Sequence, residues 1–263
     1  MSETSTTLGR PGAPTRVDRQ LAAAAAVQIA LLAALWTQVG LGLLGWAAGA
    51  LYALGLRALL GGAARRAGNT ALGPADVVTL ARASLVGGVV ALVADRLGTG
   101  AVPVATLVVL SSVALALDAV DGKVARYTRT VSALGARFDM EVDAFLVLVL
   151  SVHVAVLVTP WALVIGGMRY AFVVASWVMP WLSGALPMRC SAKVVAALQG
   201  VVLVVAAALV LSRPVATALV VAALVALVWS FGQSVTWLWR ARAVRAGRRS
   251  TSFVLRTVSG LAR

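Results

Sequence analysis

Apolar residues gather in eight runs, at about 21–39, 41–60, 76–96, 102–120, 140–158, 161–182, 192–211 and 215–238. Polar and charged residues collect between them. As a helix rising about 1.5 Å per residue, each run is long enough to cross a hydrocarbon core of about 30 Å. Gly and Pro punctuate the ends: Gly61-Gly62, Gly73-Pro74, Pro103, Pro160, Pro187 and Pro214. No stretch alternates apolar and polar in the way a membrane barrel strand does. The pattern predicts an all-α polytopic membrane protein with about eight transmembrane helices. Little more than Gln38, Val39 and Gly40 separates the first two runs, so a two-span hairpin and one long bent segment both fit.

Composition narrows the class further. Of 263 residues, 61% are hydrophobic and 12% charged. That is about half the charged share of a soluble domain. Too few charges are present to cover a water-exposed globule. The apolar excess excludes disorder, and one cysteine, Cys190, excludes a disulfide scaffold. The run 21–39 reads as a first membrane anchor rather than a secretory signal, because further spans follow it and no soluble domain does.

Charge then gives orientation. The 23 Lys and Arg outnumber nine acids, for a net +14. With both termini cytoplasmic, 19 of the 23 fall in inner segments; the outer turns hold only Arg96 and Arg213, and Arg82 and Arg169 lie within spans. This is the positive-inside pattern, with the basic loops facing anionic lipid. It leaves no need for nucleic acid as a partner. The segment after Trp239 holds seven arginines and no acid, and reads either as an interfacial helix or as a solvated basic end. Gly45 and Gly49 make a small-xxx-small face of the kind that packs helices closely.

Five of the nine acids fall between 118 and 143: Asp118, Asp121, Asp139, Glu141 and Asp143. Asp118 and Asp121 are three apart and share one helix face; Asp139 and Asp143 are four apart and share a face of the next helix. The connection between them is short enough to bring the pairs together at the cytoplasmic boundary. Four carboxylates gathered there would repel one another and lose solvation. Divalent metal relieves both costs, and an all-oxygen ligand set selects hard ions such as Mg²⁺ or Mn²⁺. Two such ions form the usual clamp for phosphoryl transfer. Gly122 and Ala125 leave room beside the backbone, and Lys123, Arg126, Arg129 and Arg137 offer cations for phosphate. The competing reading is a set of interfacial aspartates paired with arginines, but two helix-spaced pairs are more than packing requires.

The run D-x2-D-G-x2-A-R-x8-G-x3-D-x3-D is met at Asp118, Asp121, Gly122, Ala125, Arg126, Gly135, Asp139 and Asp143. It resembles the signature of the CDP-alcohol phosphotransferases (CDP-alcohol phosphatidyltransferases), class I. The resemblance implies a six-helix catalytic membrane core over 76–238, usually dimeric. It leaves a cytoplasmic segment at 1–20, an extra hairpin at 21–60 and a basic cytoplasmic tail at 239–263. It implies that Asp118 and Asp139 bridge two metal ions, that Asp121 and Asp143 each complete one site, and that Asp143 is also the general base. Gly122, Ala125, Arg126, Ser132 and Gly135 would meet the donor. Thr79 and Arg82 resemble the family's other donor-binding stretch more loosely. Arg189 and Lys193, with Arg137, would bind an anionic acceptor; ordinary positive-inside charge explains them equally well.

Three further residues have competing readings. Glu141 lies on another face than Asp139 and Asp143 and suits an interfacial pairing with arginine. His153, deep in its span, suits a neutral histidine bonded to a neighbour. Arg169 is an intramembrane charge whose partner could be Asp95 or a substrate phosphate. The expected activity is transfer of a phosphatidyl-type group from a CDP-alcohol, CDP-diacylglycerol above all, to an alcohol acceptor with release of CMP. The expected setting is a bacterial plasma membrane, with the site facing the cytoplasm. A transporter with an acidic ion path would spread its acids toward the bilayer midplane, and a non-catalytic scaffold would have lost a metal aspartate; neither is seen here.

Overall fold

The computed structural model describes residues 16–67, 73–99, 103–128, 133–179, 181 and 190–261; side chains are described for these apart from 74–75, 99, 119–128, 133, 190–193 and 241–261. Eight helices run in order: α1 Arg16–Val39, α2 Leu43–Arg66, α3 Pro74–Thr99, α4 Val104–Thr128, α5 Ala133–Leu157, α6 Ala162–Val178, α7 Cys190–Ala207 and α8 Arg213–Leu261. No strand occurs among the described residues. Helices α1, α2, α3, α5 and α8 are long and apolar enough to cross a membrane; α4, α6 and α7 carry shorter apolar stretches, Val104–Asp118, Ala162–Val178 and Val194–Ala207. Large apolar side chains such as Leu54, Leu59, Trp177 and Trp229 are exposed, as hydrocarbon permits and water does not. The protein is an integral membrane protein.

The eight helices match the eight predicted runs, but their ends differ. Helix α4 continues to Thr128, past the run ending at 120, and α5 begins at Ala133 rather than 140. An apolar run marks where the chain meets hydrocarbon. The helix itself continues through polar residues, because its backbone bonds close internally whatever the side chains are.

The chain forms two compact units. The first comprises residues 1–102 and 116–142; the second comprises 103–115 and 143–263. In the first unit α1, α2 and α3 pack against one another. Helix α3 is central: two thirds of its apolar window is buried (67%), against 17% in α1 and in α2. Between α1 and α2 the chain reverses at Gly40, whose φ of +72° is a left-handed conformation that suits glycine. The two runs are therefore separate helices and not one bent segment. Helix α2 opens on the amides of Gly42 and Gly45, which donate to Asp95 Oδ1 on α3 at 3.0 and 3.4 Å. A Cβ on Gly42 would stand 2.7 Å from that oxygen, so a larger residue there would push the Asp95 carboxylate aside.

Helix α3 starts with Pro74 in its first turn, where a missing N–H costs nothing. The Asp76 carboxylate accepts the Gly73 amide at 3.0 Å, in the manner of an acidic residue reaching back over a helix start. These features fix the near end of α3, which carries Thr79 and Arg82.

In the second unit α7 and α8 pack together, and α6 packs on α8. Phe172 and Phe231 meet edge to face with centroids 5.6 Å apart. Gln199 Nε2 donates to the Ala223 carbonyl at 3.0 Å, and Arg213 Nε to the Val158 carbonyl at 3.1 Å. Leu146, Leu150 and Val154 bury the inner face of α5 at four-residue spacing.

Candidate metal centre

Asp118 sits in the second half of α4 and Asp139 in the second turn of α5. Asp143 follows one turn further along α5, so it projects on the same side as Asp139. One carboxylate oxygen from each of Asp118, Asp139 and Asp143 lies within 4.8 Å of the others. All three residues are half-buried. Such a cluster is all oxygen, anionic and only partly solvated, which is the donor set that suits a hard divalent cation.

A fourth residue enters from α3. Arg82 is fully buried, at 0% exposure. Its Nη1 donates to Asp118 Oδ1 and its Nη2 to Asp139 Oδ1, forming two ion pairs. Nη2 also donates to the Asp139 main-chain carbonyl at 3.2 Å. The planar guanidinium thus bridges α4 and α5 by its two ends, a role that the single ammonium of lysine could not fill. Three carboxylates and one guanidinium leave a formal charge of −2 on these four side chains. Among these four described side chains, negative charge is in excess.

The remaining predicted residues fall as follows. Thr79 is buried on α3, three residues before Arg82 and on the same face. Gly135 is buried in the first turn of α5, while Arg137 is exposed. Asp121, Gly122, Ala125 and Arg126 belong to the helical stretch of α4, and Lys193 to the first turn of α7; their side chains lie outside the described set. Ser132 and Arg189 lie outside the described residues altogether. The structure thus brings together three of the four predicted metal aspartates. It adds a contact that sequence spacing did not signal, the bridge from Arg82.

Searches of the curated proteins and of the solved structures found no match. Residues 73–248, about two thirds of the chain, match the profile of the family described as CDP-alcohol phosphatidyltransferase. The chain belongs to the CDP-alcohol phosphatidyltransferase family. The match begins at the start of α3 and leaves α1 and α2 outside it; it ends within α8. The three clustered aspartates all lie within the matched region. As a member of this family, the protein is a membrane transferase of phospholipid biosynthesis, acting on a CDP-alcohol donor and an alcohol acceptor.

Proposed function

We propose that this transferase moves a phosphatidyl group from CDP-diacylglycerol to a small alcohol and releases CMP, with its active site on the cytoplasmic side of a bacterial plasma membrane. The observation that carries the reading is the convergence of Asp118, Asp139 and Asp143 inside the region that matches the family. The donor set fits Mg²⁺ or Mn²⁺. Asp118 and Asp139 would each serve both of two ions, with Asp121 and Asp143 completing one site each. Bound there, the ions would supply positive charge to the donor's pyrophosphate and to the departing CMP.

The chain's own residues do the rest. Asp143 holds the acceptor hydroxyl and takes its proton. The acceptor oxygen bonds the lipid-bearing phosphorus, the P–O bond to CMP breaks, and CMP leaves with the electron pair. Gly122, Ala125 and Gly135 let the donor approach the backbone of α4 and α5. Arg126, Ser132, Thr79 and Arg82 bind the donor, the arginines by charge-assisted hydrogen bonds to phosphate. Arg137, Arg189 and Lys193 receive an anionic acceptor such as an inositol or glycerol phosphate. Residues 76–238 form the catalytic domain, residues 21–60 an added hairpin, and residues 239–263 a basic cytoplasmic tail. The working unit is a homodimer.

The test is CMP release by the purified chain in detergent with CDP-diacylglycerol, Mn²⁺ or Mg²⁺, and a panel of acceptors. One acceptor is expected to stimulate release well above the others, and Arg189→Ala with Lys193→Ala to raise the KM for it if it is anionic. No CMP with any acceptor would overturn the reading.

A further inference from the structure

The two carboxylate oxygens that receive the Arg82 guanidinium belong to residues of the metal-competent cluster. An N–H donor and a divalent cation draw on the same lone pairs of a carboxylate oxygen. Arginine cannot be neutralised by losing a proton, and here it is fully buried, so its charge always needs an anion beside it. We propose that Arg82 is an exchangeable counter-ion: it holds Asp118 and Asp139 together in the metal-free protein, and it yields their oxygens to incoming divalent cations by turning to the phosphates of the donor. The proposal rests on the metal and donor reading above and adds an order of events to it.

Three consequences follow from the geometry. Without the guanidinium, two carboxylates from different helices would face each other in a partly desolvated place, and repulsion would part them. With it, the bidentate fork fixes their spacing before any metal arrives. Metal that takes those oxygens must then displace a buried cation from its two anionic partners, so its affinity alone is low. Metal and donor together solve the problem, because the donor's pyrophosphate supplies the anion that Arg82 needs. Binding of the two is therefore coupled, and the coupling is reciprocal. A site built in this way stays closed to free divalent cations until its substrate is present.

The experiment is Mn²⁺ binding to the full-length protein in detergent, read by electron paramagnetic resonance of free Mn²⁺, with and without CDP as a soluble pyrophosphate probe. Binding of Mn²⁺ by CDP itself is subtracted. Arg82→Gln is expected to bind Mn²⁺ about tenfold more tightly than wild type without CDP, and to gain less affinity than wild type when CDP is added. Arg82→Lys retains the charge but cannot bridge both aspartates, and is expected to fall between the two. It serves as the test should Arg82→Gln fail to fold. Mn²⁺ affinity in these variants equal to or weaker than wild type, with the CDP effect intact, would overturn the exchange. Asp118→Asn, measured with CDP present, reports on the underlying reading: if wild type with CDP holds no Mn²⁺ that this variant loses, the metal site itself fails, and the exchange with it.

Discussion

Asp143 and Asp139 sit one helical turn apart, yet the account gives them different work. Asp143 must accept a proton, which an amide cannot do. Asp143→Asn is therefore expected to lower the rate of CMP release by about 10²–10⁴-fold, the usual worth of a positioned general base, with the protein still folded by size-exclusion profile. Glu141, two residues from each, projects from another face of α5. Glu141→Gln is expected to leave CMP release within about threefold of wild type, since an exposed interfacial carboxylate is worth little. The aspartates were legible in the sequence because their spacing of three and four is a property of one helix. The bridge from Arg82 was not: it joins residues 36 and 57 positions apart, and only tertiary packing brings them together.

Helix α3 is the element on which the site depends. It carries Arg82 and Thr79 near one end and Asp95 near the other, and α1 and α2 are packed against it. Between helices in hydrocarbon there is little hydrophobic driving force, so close approach and hydrogen bonds do the holding. Asp95 accepting two amides of the first turn of α2 is such a bond. Asp95→Ala is expected to cost about 1–3 kcal/mol through the unsatisfied amides it leaves, seen as a lower midpoint of thermal unfolding in detergent. Mn²⁺ affinity should not change, and a parallel loss would show that the hairpin joint also sets the metal site. Hydropathy located every helix, but not these ends. It reports contact with lipid, whereas a helix stops where its backbone geometry does. The sign of φ at Gly40, which makes α1 and α2 a hairpin, is a backbone fact that composition leaves open.

For the whole molecule, the proposed orientation rests on the distribution of charge, and it decides which side supplies the substrates. Under the proposed topology, eight spans with basic inner segments put both termini in the cytoplasm. A reporter fused after Arg263 is expected to read cytoplasmic, and one inserted at Gly40 external; the reverse pattern would refute the topology. At this scale the sequence was most informative. Only a membrane could accept so apolar a chain, and in such a chain four aspartates at helical spacing are costly unless cations are bound to them. The central claim is that those aspartates hold metal for phosphatidyl transfer. The most direct measurement is CMP release from CDP-diacylglycerol as divalent cation is added to the EDTA-treated protein with its preferred acceptor. The account predicts no release without the cation, saturating release with Mg²⁺ or Mn²⁺, and a loss of at least a hundredfold in Asp118→Asn and Asp139→Asn at the same metal concentration. Release that persists in EDTA, or that survives both substitutions, would contradict it.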